Sequence, residues 1–355
     1  MPDLAGGRFT GRPAVLHVSS HLRRRLDHGW SLARLDPGEA PTPDALAARR
    51  PEWRTAQVPG TVAAADRAAA RLLRPEDAED YDAHDWWYHC EFGDDGDVAD
   101  EAVLSFGGLA TLAEVWLNGE RLGCSRNMFR ALELDVGGRL ARRNELHLRF
   151  AALGPELARR RPRPRWKVRL VEDQALRWHR TTLLGRMPGW GPRLHTVGPW
   201  RPVQLEQRRV LALDDGDVLP TVGSAGPALV ADLHLRPLGG ARIGSATLEC
   251  AGTRHPLAVH ALADGRVRVT GTVPVPDAAR WWPHTHGAPA LHALALDLDT
   301  SEGPVRVELG DVGFRAIAVD RADGAFELRV NDVPVFCRGA CWLPPDAVSL
   351  RAPDD

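Results

Sequence analysis

The sequence has no apolar run that approaches the eighteen or more residues of a transmembrane helix, and its N-terminus, MPDLAGGRFTGRPAVL, has no signal-peptide core. It also lacks a basic bias, since the formal net charge is -2 at pH 7. Neither nucleic acid nor an anionic membrane is therefore expected as a partner. The five cysteines are odd in number and scattered, which favours reduced thiols over a disulfide framework. These absences predict a cytoplasmic protein.

Sequence patterns for several common chemistries are missing as well. The chain has no sequence motif of a Ser-His-Asp hydrolase triad, no glycine-rich loop that could bind a phosphate, and no histidine-rich stretch at the spacing of a metal site. Cys337 and Cys341 have a Cys-x3-Cys spacing, but without a second ligand pair we interpret them as packing residues rather than metal ligands. His284 and His286 follow Pro283, where a turn explains them at least as well as a metal. We expect no cofactor and no metal.

Short alternating strands dominate the chain from about residue 98. The segment EVWLNGERLG predicts a hairpin at Asn118-Gly119, a pair that tolerates the positive φ angles of a type I′ turn. ELHLRF, RVRVTGTV and LHALALDLDT alternate apolar and polar residues with period two. Helical signals are confined to a start at Thr42-Pro43-Asp44 and an Ala-rich stretch, Thr61 to Leu73. This pattern predicts a mainly β protein built of β-sandwiches.

Length and strand density predict two or three domains, at about 150 residues each. We place the boundaries near residues 210 and 318. Residues 10–210 form the first predicted domain, and residues 211–317 have the size of an immunoglobulin-like β-sandwich. Residues 318–355 predict a short strand pair, in which Phe326, Leu328 and Val330 point inward before a turn at Asn331-Asp332.

One basic run stands out, RRRPRPRWKVR from Arg159 to Arg169. Its prolines keep it out of helices and central strands. Two interpretations remain open, a solvated loop and a site for an anionic sugar or polynucleotide. The single aromatic residue in the run, Trp166, favours the solvated loop.

A series of spaced motifs runs along most of the chain. The N-terminal motifs are Val58-Pro59-Gly60-Thr61, Asp85-Trp86-Trp87-Tyr88, Leu104-Ser105-Phe106-Gly107-Gly108, Val115-Trp116-Leu117-Asn118-Gly119, Trp190-Gly191-Pro192 and Gly198-Pro199-Trp200. Further along are Trp281-Trp282-Pro283, Gly313-Phe314-Arg315 and Gly339-Ala340-Cys341-Trp342. This series resembles glycoside hydrolase family 2 enzymes of the β-mannosidase kind. The resemblance implies a galactose-binding-like jelly-roll domain, an immunoglobulin-like sandwich and the opening of a catalytic (β/α)₈ barrel at residues 318–355.

The resemblance also implies retaining glycosidase chemistry, in which an acid and a carboxylate nucleophile act about 5 Å apart. In the family both groups are glutamates on late barrel strands. A barrel needs about 250 residues, so we expect this chain to lack both and to contain no catalytic residue. Its one Asn-Glu pair, Asn144-Glu145, lies in a predicted strand, where a structural role is the better interpretation.

Two residues match positions that line the sugar pocket in the family. Trp190 belongs to a loop that is Trp-Asp-Trp-Gly-Pro in β-mannosidases, and Trp342 follows the strand pair that opens the barrel. Gly189 stands where the family has the aspartate, and Cys341 where it usually has asparagine. Both departures remove groups that could bond a sugar hydroxyl. Four other tryptophans have two possible roles, in the core or in sugar stacking: Trp86, Trp87, Trp281 and Trp282.

The expected function is that of a non-catalytic accessory or substrate-binding region of a family 2 exo-β-glycosidase, with carbohydrate as its ligand. Whether the chain counts as an enzyme is left open by the resemblance. Two alternatives are a stand-alone carbohydrate-binding module and a docking subunit for a separately encoded catalytic barrel. An unpaired apolar strand near Phe336 would suit the docking role.

Overall fold

Strands account for 46% of the protein and helices for 9% in the computed structural model, which describes residues 17–68, 79–93, 99–162, 165–187, 189 and 191–351. The mainly β prediction is therefore confirmed. The chain divides into two compact units. The N-terminal unit comprises Arg23–Gln207 and the stretch from Cys341 onward. The central unit comprises Arg208–Ala340 and the described residues before Arg23.

The first eleven strands run up to residue 208. They are β1 (His17–Val18), β2 (Leu22–Arg25), β3 (Trp30–Leu35), β4 (Arg54–Thr55), β5 (Asp85–Gly93), β6 (Glu101–Phe106), β7 (Ala113–Leu117), β8 (Glu120–Ser125), β9 (Leu132–Asp135), β10 (Arg143–Phe150) and β11 (Val203–Arg208). The helices are α1 (Pro43–Arg49), α2 (Val62–Ala68) and α3 (Gly154–Ala158). Short 3₁₀ turns span Tyr81–Ala83 and Gln174–Trp178.

The N-terminal unit is a sandwich of two antiparallel sheets. One sheet has the strand order β4-β3-β5-β10-β7-β8, and the other β2-β11-β6-β9. Side chains of both sheets meet in one core, for example Leu32, Tyr88 and Leu148 from the first and Leu104 and Leu205 from the second. Because apolar residues of each strand alternate toward this core, the period-two pattern places the polar faces outside.

The central unit contains the remaining strands, β12 (Leu211–Gly223), β13 (Gly226–Pro237), β14 (Ile243–Cys250), β15 (Thr253–Ala261), β16 (Val267–Pro274), β17 (His292–Thr300), β18 (Gly303–Val312), β19 (Ile317–Asp320), β20 (Glu327–Val330) and β21 (Val333–Val335). Eight strands form one sheet, in the order β1-β18-β17-β14-β15-β16-β13-β12. Its core includes Leu229, Val269 and Leu296. The immunoglobulin-like assignment of this unit stays a prediction.

One hairpin turn and the starts of two helices form where the sequence predicted them. Asn118 and Gly119 have φ angles of 51° and 82° and join β7 to β8, so the hairpin is confirmed. Helix α1 begins after Thr42, whose hydroxyl accepts a hydrogen bond from the Ala45 amide at 3.2 Å. Thr61 accepts from the Ala64 amide at 3.1 Å and caps α2. The predicted helical residues after Ala68 lie outside the described part of the chain.

Strands β19, β20 and β21 form a separate three-stranded sheet. The turn at Asn331-Asp332 is confirmed, because both residues have positive φ angles and Val330 pairs with Val333 across it. The inward orientation expected for Phe326 is wrong, since its side chain is 74% exposed. The physical reason is that the ladder begins at Glu327, paired with Asp320, and Phe326 precedes it.

The tryptophans of the Asp-Trp-Trp-Tyr motif belong to the core. Trp86 and Trp87 are fully buried in β5, and the Trp86 indole donates a hydrogen bond to the Tyr81 carbonyl at 2.9 Å. Sugar stacking is therefore excluded for these two residues. In the central unit, Trp281 is half-buried, and the Arg315 guanidinium lies 4.6 Å from the centre of its ring. Among the described residues, no helix is long and apolar enough to span a bilayer.

Candidate functional site

The loop around the Trp-Gly-Pro motif, residues 182–193, is held to the N-terminal unit by a buried ion pair. Both terminal nitrogens of the Arg186 guanidinium, Nη1 and Nη2, contact the Asp82 carboxylate, with Nη2 2.8 Å from Oδ1. Asp82 lies in the 3₁₀ turn Tyr81–Ala83, directly before β5. The two side chains are only 3% and 4% exposed. A bidentate, desolvated pair of this kind fixes the base of the loop.

Close backbone packing holds the same loop at Gly185. This glycine has a φ angle of 77°, and a Cβ atom added there would lie 1.9 Å from the Leu194 carbonyl oxygen. Gly189 is different. Its φ angle of 80° also favours glycine, but nothing lies within 4 Å of an added Cβ. The position where the family resemblance implies an aspartate is therefore open to the outside of the loop.

A polar cavity of about 270 Å³ opens beside the loop. Its walls include Arg186, Met187, Arg193 and His195, together with the backbone of the loop glycines. The His195 Nδ1 atom lies 3.0 Å from an oxygen of Asp80. The cavity thus offers charged and hydrogen-bonding groups, and its volume is large enough for part of a sugar ring.

Three potential metal ligands come together at this cavity, Asp80, Asp82 and His195, with ligand atoms within 4.8 Å of one another. The Arg186 guanidinium already occupies the Asp82 carboxylate. A cation at the same place would meet its positive charge at close range. The arrangement is better described as an ion-paired anchor than as a metal site.

An apolar groove of about 330 Å³ also borders the loop. It is lined by residues of four segments: Met128, Phe129, Thr182, Leu183, Leu184, Met187, Trp200, Leu343, Pro344 and Leu350. The Trp200 indole donates to the Met128 carbonyl at 2.9 Å. Gly108 permits this arrangement, since a Cβ there would lie 2.6 Å from Trp200 Nε1. The glycine in the Phe-Gly-Gly motif therefore has a steric role.

The stretch from Cys341 onward is attached to the N-terminal unit by polar contacts at α2. Arg67 makes two hydrogen bonds of 3.0 and 2.7 Å to the Asp346 carboxylate, and Thr61 donates to the Val348 carbonyl at 2.6 Å. Burial raises the pKa of Asp346, but hydrogen bonds from Arg67 and Ser349 outweigh this and hold the pKa well below its usual value. The carboxylate is therefore charged at neutral pH.

The two predicted pocket residues have different outcomes. Trp190 lies outside the described residues, so its position in the pocket stays a prediction. Trp342 is described and is 82% exposed, at the start of the attached stretch. Its role in a sugar pocket also stays a prediction. Cys341, beside it, is an exposed free thiol.

The Asn144-Glu145 pair lies in β10, as expected, with a structural role for its asparagine. Asn144 is fully buried, and its Oδ1 atom accepts from the Ala141 amide at 2.8 Å and from Asn118 Nδ2 at 3.0 Å. Its Nδ2 atom donates to the Ala141 carbonyl at 2.6 Å. The amide thus braces the turn before β10 and the hairpin at Asn118, and its polar atoms are used.

Comparison with known proteins identifies the family. Residues 39–201 match the family model described as the glycosyl hydrolase 2 galactose-binding domain-like domain. This region is a glycoside hydrolase family 2 domain. The fold around the Trp-Gly-Pro loop is therefore the jelly-roll sandwich of that family, as the motifs implied.

Curated relatives extend the similarity over most of the chain. A β-mannosidase B of Aspergillus terreus is 28% identical over 353 residues, which are 93% of this chain and 40% of that protein. A β-mannosidase B of Emericella nidulans is 30% identical over 267 residues, 71% of this chain and 31% of that protein. The chain thus spans about two fifths of the length of the A. terreus relative.

A solved structure has the same fold. The crystal structure of a β-D-mannosidase from Dictyoglomus thermophilum superposes with a TM-score of 0.76, covering 92% of this chain and 41% of that chain at 23% identity. Together with the family 2 domain and the curated relatives, this similarity makes the chain a relative of the N-terminal region of family 2 β-mannosidases.

Sequence reasoning missed the groups that hold the site in place. Arg186 and Asp82 are 104 residues apart, and Arg67 and Asp346 are 279 residues apart. The sequence contained one indication of the first pair. An arginine next to the Trp-Gly-Pro loop needs a counter-ion if its side chain is buried at the base of the loop. The partner itself could not be chosen among 47 acidic residues.

Proposed function

We propose that this chain is the non-catalytic accessory region of a retaining, β-mannosidase-like exo-glycosidase, and that it contributes the loop 182–193 to a carbohydrate site. The observation that carries the proposal is the alignment of 93% of the chain with 40% of a β-mannosidase B. The aligned region has the jelly-roll sandwich and an anchored loop. The catalytic carboxylates are supplied by a barrel outside this sequence.

The structure around the loop supports a role in positioning rather than in bond cleavage. The buried Arg186–Asp82 pair holds the base of the loop, while Gly189 and the cavity beside it face outward. The Asn144 amide, which belongs to the one Asn-Glu pair of the chain, is engaged in structural hydrogen bonds. A cytoplasmic location is part of the proposal and is supported by five cysteines that are all free thiols.

The test is an assay of the purified 355-residue chain against aryl β-mannosides, β-galactosides and β-glucuronides. A full-length β-mannosidase serves as the positive control. We expect no turnover above the blank. Turnover that co-purifies with the chain would show that it carries its own catalytic carboxylates, and the proposal would then be wrong.

Two alternatives give different results in binding experiments. A stand-alone carbohydrate-binding module predicts measurable titration heats with neutral manno-oligosaccharides for the chain alone. A docking subunit predicts a stable complex when the chain is mixed with a separately produced family 2 barrel and run in an analytical ultracentrifuge. The accessory region of a single enzyme predicts weak binding in the first experiment, because part of the sugar site is missing.

A further inference from the structure

A second cavity, which the function above does not use, lies next to the loop cavity in the N-terminal unit. Its volume is about 840 Å³, and it lies between the residues that follow α3 and the 3₁₀ turn Gln174–Trp178. Three consecutive arginines, Arg159, Arg160 and Arg161, and the indole of Trp178 line it. Glu172 and Asp173 belong to the walls of both cavities, so the two are neighbours.

The arginines on this cavity outnumber the carboxylates that could neutralise them. Glu156 of α3 contacts three guanidinium groups, with distances of 2.6 Å to Arg161, 3.3 Å to Arg159 and 4.0 Å to Arg126. Burial raises the pKa of Glu156, but these arginines lower it below its usual value overall. One carboxylate thus balances only one of three positive charges.

Arg160 adds a further positive charge. It is exposed to the cavity, and no carboxylate in the described ranges forms an ion pair with it. Glu172 is engaged with Arg193 at 3.4 Å. On the cavity wall itself, the three arginines Arg159, Arg160 and Arg161 face the two carboxylates Glu172 and Asp173, an excess of one positive charge. A concave surface with this excess attracts anions.

The second wall combines a fixed backbone with an aromatic surface. The Gln174 side chain donates to the carbonyls of Val168 and Val171, and its oxygen accepts from the Val168 amide at 3.1 Å. These bonds brace the segment before the 3₁₀ turn. Trp178, at the end of that turn, is 49% exposed. An exposed indole on a cavity wall offers an apolar face against which a sugar ring can pack.

We propose that this cavity binds the anionic group of an acidic carbohydrate, a uronate carboxylate or a sugar sulfate, through Arg159, Arg160 and Arg161, with the sugar ring against Trp178. Planar guanidinium groups suit such anions because they donate paired hydrogen bonds. The choice of a carbohydrate rests on the proposed function, because the cavity adjoins the loop proposed for sugar. A nucleic acid is disfavoured, since the cavity is lined by a single indole and the chain has a formal net charge of -2, which do not make a basic, aromatic-lined track.

The experiment titrates the full chain with four probes of similar length at low salt. The probes are a galacturonate tetrasaccharide, a sulfated tetrasaccharide, neutral mannotetraose and a single-stranded RNA oligonucleotide, with inorganic phosphate as a fifth arm. Binding is followed by tryptophan fluorescence and by calorimetry. We expect at least one acidic glycan to bind about tenfold or more tightly than mannotetraose. Comparison of the galacturonate and sulfated tetrasaccharides then shows whether the site prefers a carboxylate or a sulfate.

Variants assign the binding to this cavity. Arg160→Gln is expected to weaken the acidic glycan about tenfold, because a charge-assisted hydrogen bond is lost. Trp178→Ala is expected to weaken it and Trp178→Phe to preserve most of it. Arg139→Gln, an exposed arginine of the same unit outside the cavity, is the matched control and should change nothing. Thermal unfolding of each variant verifies that it is folded.

Several results would overturn the proposal. Equal affinity for acidic and neutral tetrasaccharides would exclude an anion subsite, and tighter binding of RNA would assign the cavity to another ligand class. Inorganic phosphate that binds as tightly as the glycans would indicate an anion site with no sugar recognition. These outcomes are separate from the glycosidase assay, because turnover of neutral aryl glycosides contradicts the accessory role and leaves the arginine-dependent binding unaffected.

Discussion

The buried Arg186–Asp82 pair provides the sharpest test of how the Trp-Gly-Pro loop is held. The guanidinium makes two contacts with the carboxylate, and both side chains are almost completely removed from solvent. Arg186→Met keeps most of the side-chain volume and removes the charge and both hydrogen bonds. It leaves the Asp82 carboxylate buried without its guanidinium partner.

The expected cost follows from this burial. Breaking a buried ion pair by removing one partner costs about 3–5 kcal/mol. We expect a value near the lower end, about 3 kcal/mol, because His195 Nδ1 lies 3.3 Å from Asp82 Oδ2 and can donate to the carboxylate in place of the arginine. Such a loss is a large share of a stability of about 5–15 kcal/mol.

The assay is urea denaturation followed by tryptophan fluorescence, for Arg186→Met, Asp82→Asn and the double variant. We expect the double variant to cost less than the sum of the single variants by about 2 kcal/mol, as coupled partners do. Arg193→Met, at an exposed arginine of the same loop, is the control and should change the unfolding free energy by about 0.5 kcal/mol or less. Additive costs, or a loss below about 1 kcal/mol for Arg186→Met, would refute the role of the pair as an anchor.

Three other changes test individual contacts. Gly108→Ala should lower the unfolding free energy by about 1–3 kcal/mol in urea denaturation, because its Cβ would lie 2.6 Å from Trp200 Nε1. Asn144→Ala should cost about 2–4 kcal/mol in the same assay, since it leaves buried polar groups unpaired. Burial, with His89 nearby, lowers the pKa of His147 to about 4. The unfolded chain binds this proton near pH 6.5, so the unfolding free energy should fall as the pH is lowered from about 6.5 toward 4, and His147→Phe should reduce that slope.

Each of these changes has its own control. At Gly223 nothing lies within 4 Å of an added Cβ, so Gly223→Ala should have little effect, and an equal loss at Gly108 and Gly223 would contradict the steric argument. Glu145→Gln alters the exposed neighbour of Asn144 and should leave stability nearly unchanged. For the pH experiment, an undiminished slope in His147→Phe between pH 6.5 and 4 would assign the proton to another group.

Features set by neighbouring residues could be predicted from the sequence. The turns at Asn118-Gly119 and Asn331-Asp332 need positive φ angles, and the start of α1 needs the Thr42 side chain, so the residue types alone indicate them. For Trp86 and Trp87 the sequence left a core role and sugar stacking both open, because the equally large Trp166 and Trp342 are exposed and side-chain size alone does not decide. Phe326 was placed wrongly because alternation does not indicate where a ladder starts.

The anchors and cavities could not be predicted, because their parts are far apart in sequence. Nothing near Arg67 identifies Asp346 as its partner, and nothing near Arg186 identifies Asp82. The basic run from Arg159 was visible, but its interpretation as a solvated loop rested on Trp166 alone. The aromatic residue that lines the cavity is Trp178, which the fold brings to the arginines.

The substitution at Gly189 and the arginines after α3 form one consistent electrostatic arrangement. The family resemblance implies an aspartate at the position of Gly189, which would place a carboxylate at the cavity that shares Glu172 and Asp173 with the arginine-lined one. A negative charge there would repel an anionic sugar bound next to it. Glycine carries no such charge, and its φ angle of 80° favours glycine at this position even though nothing lies within 4 Å of an added Cβ. The absence of a carboxylate at Gly189 and the proposed anion-binding wall therefore favour the same ligand, a sugar with an acidic substituent.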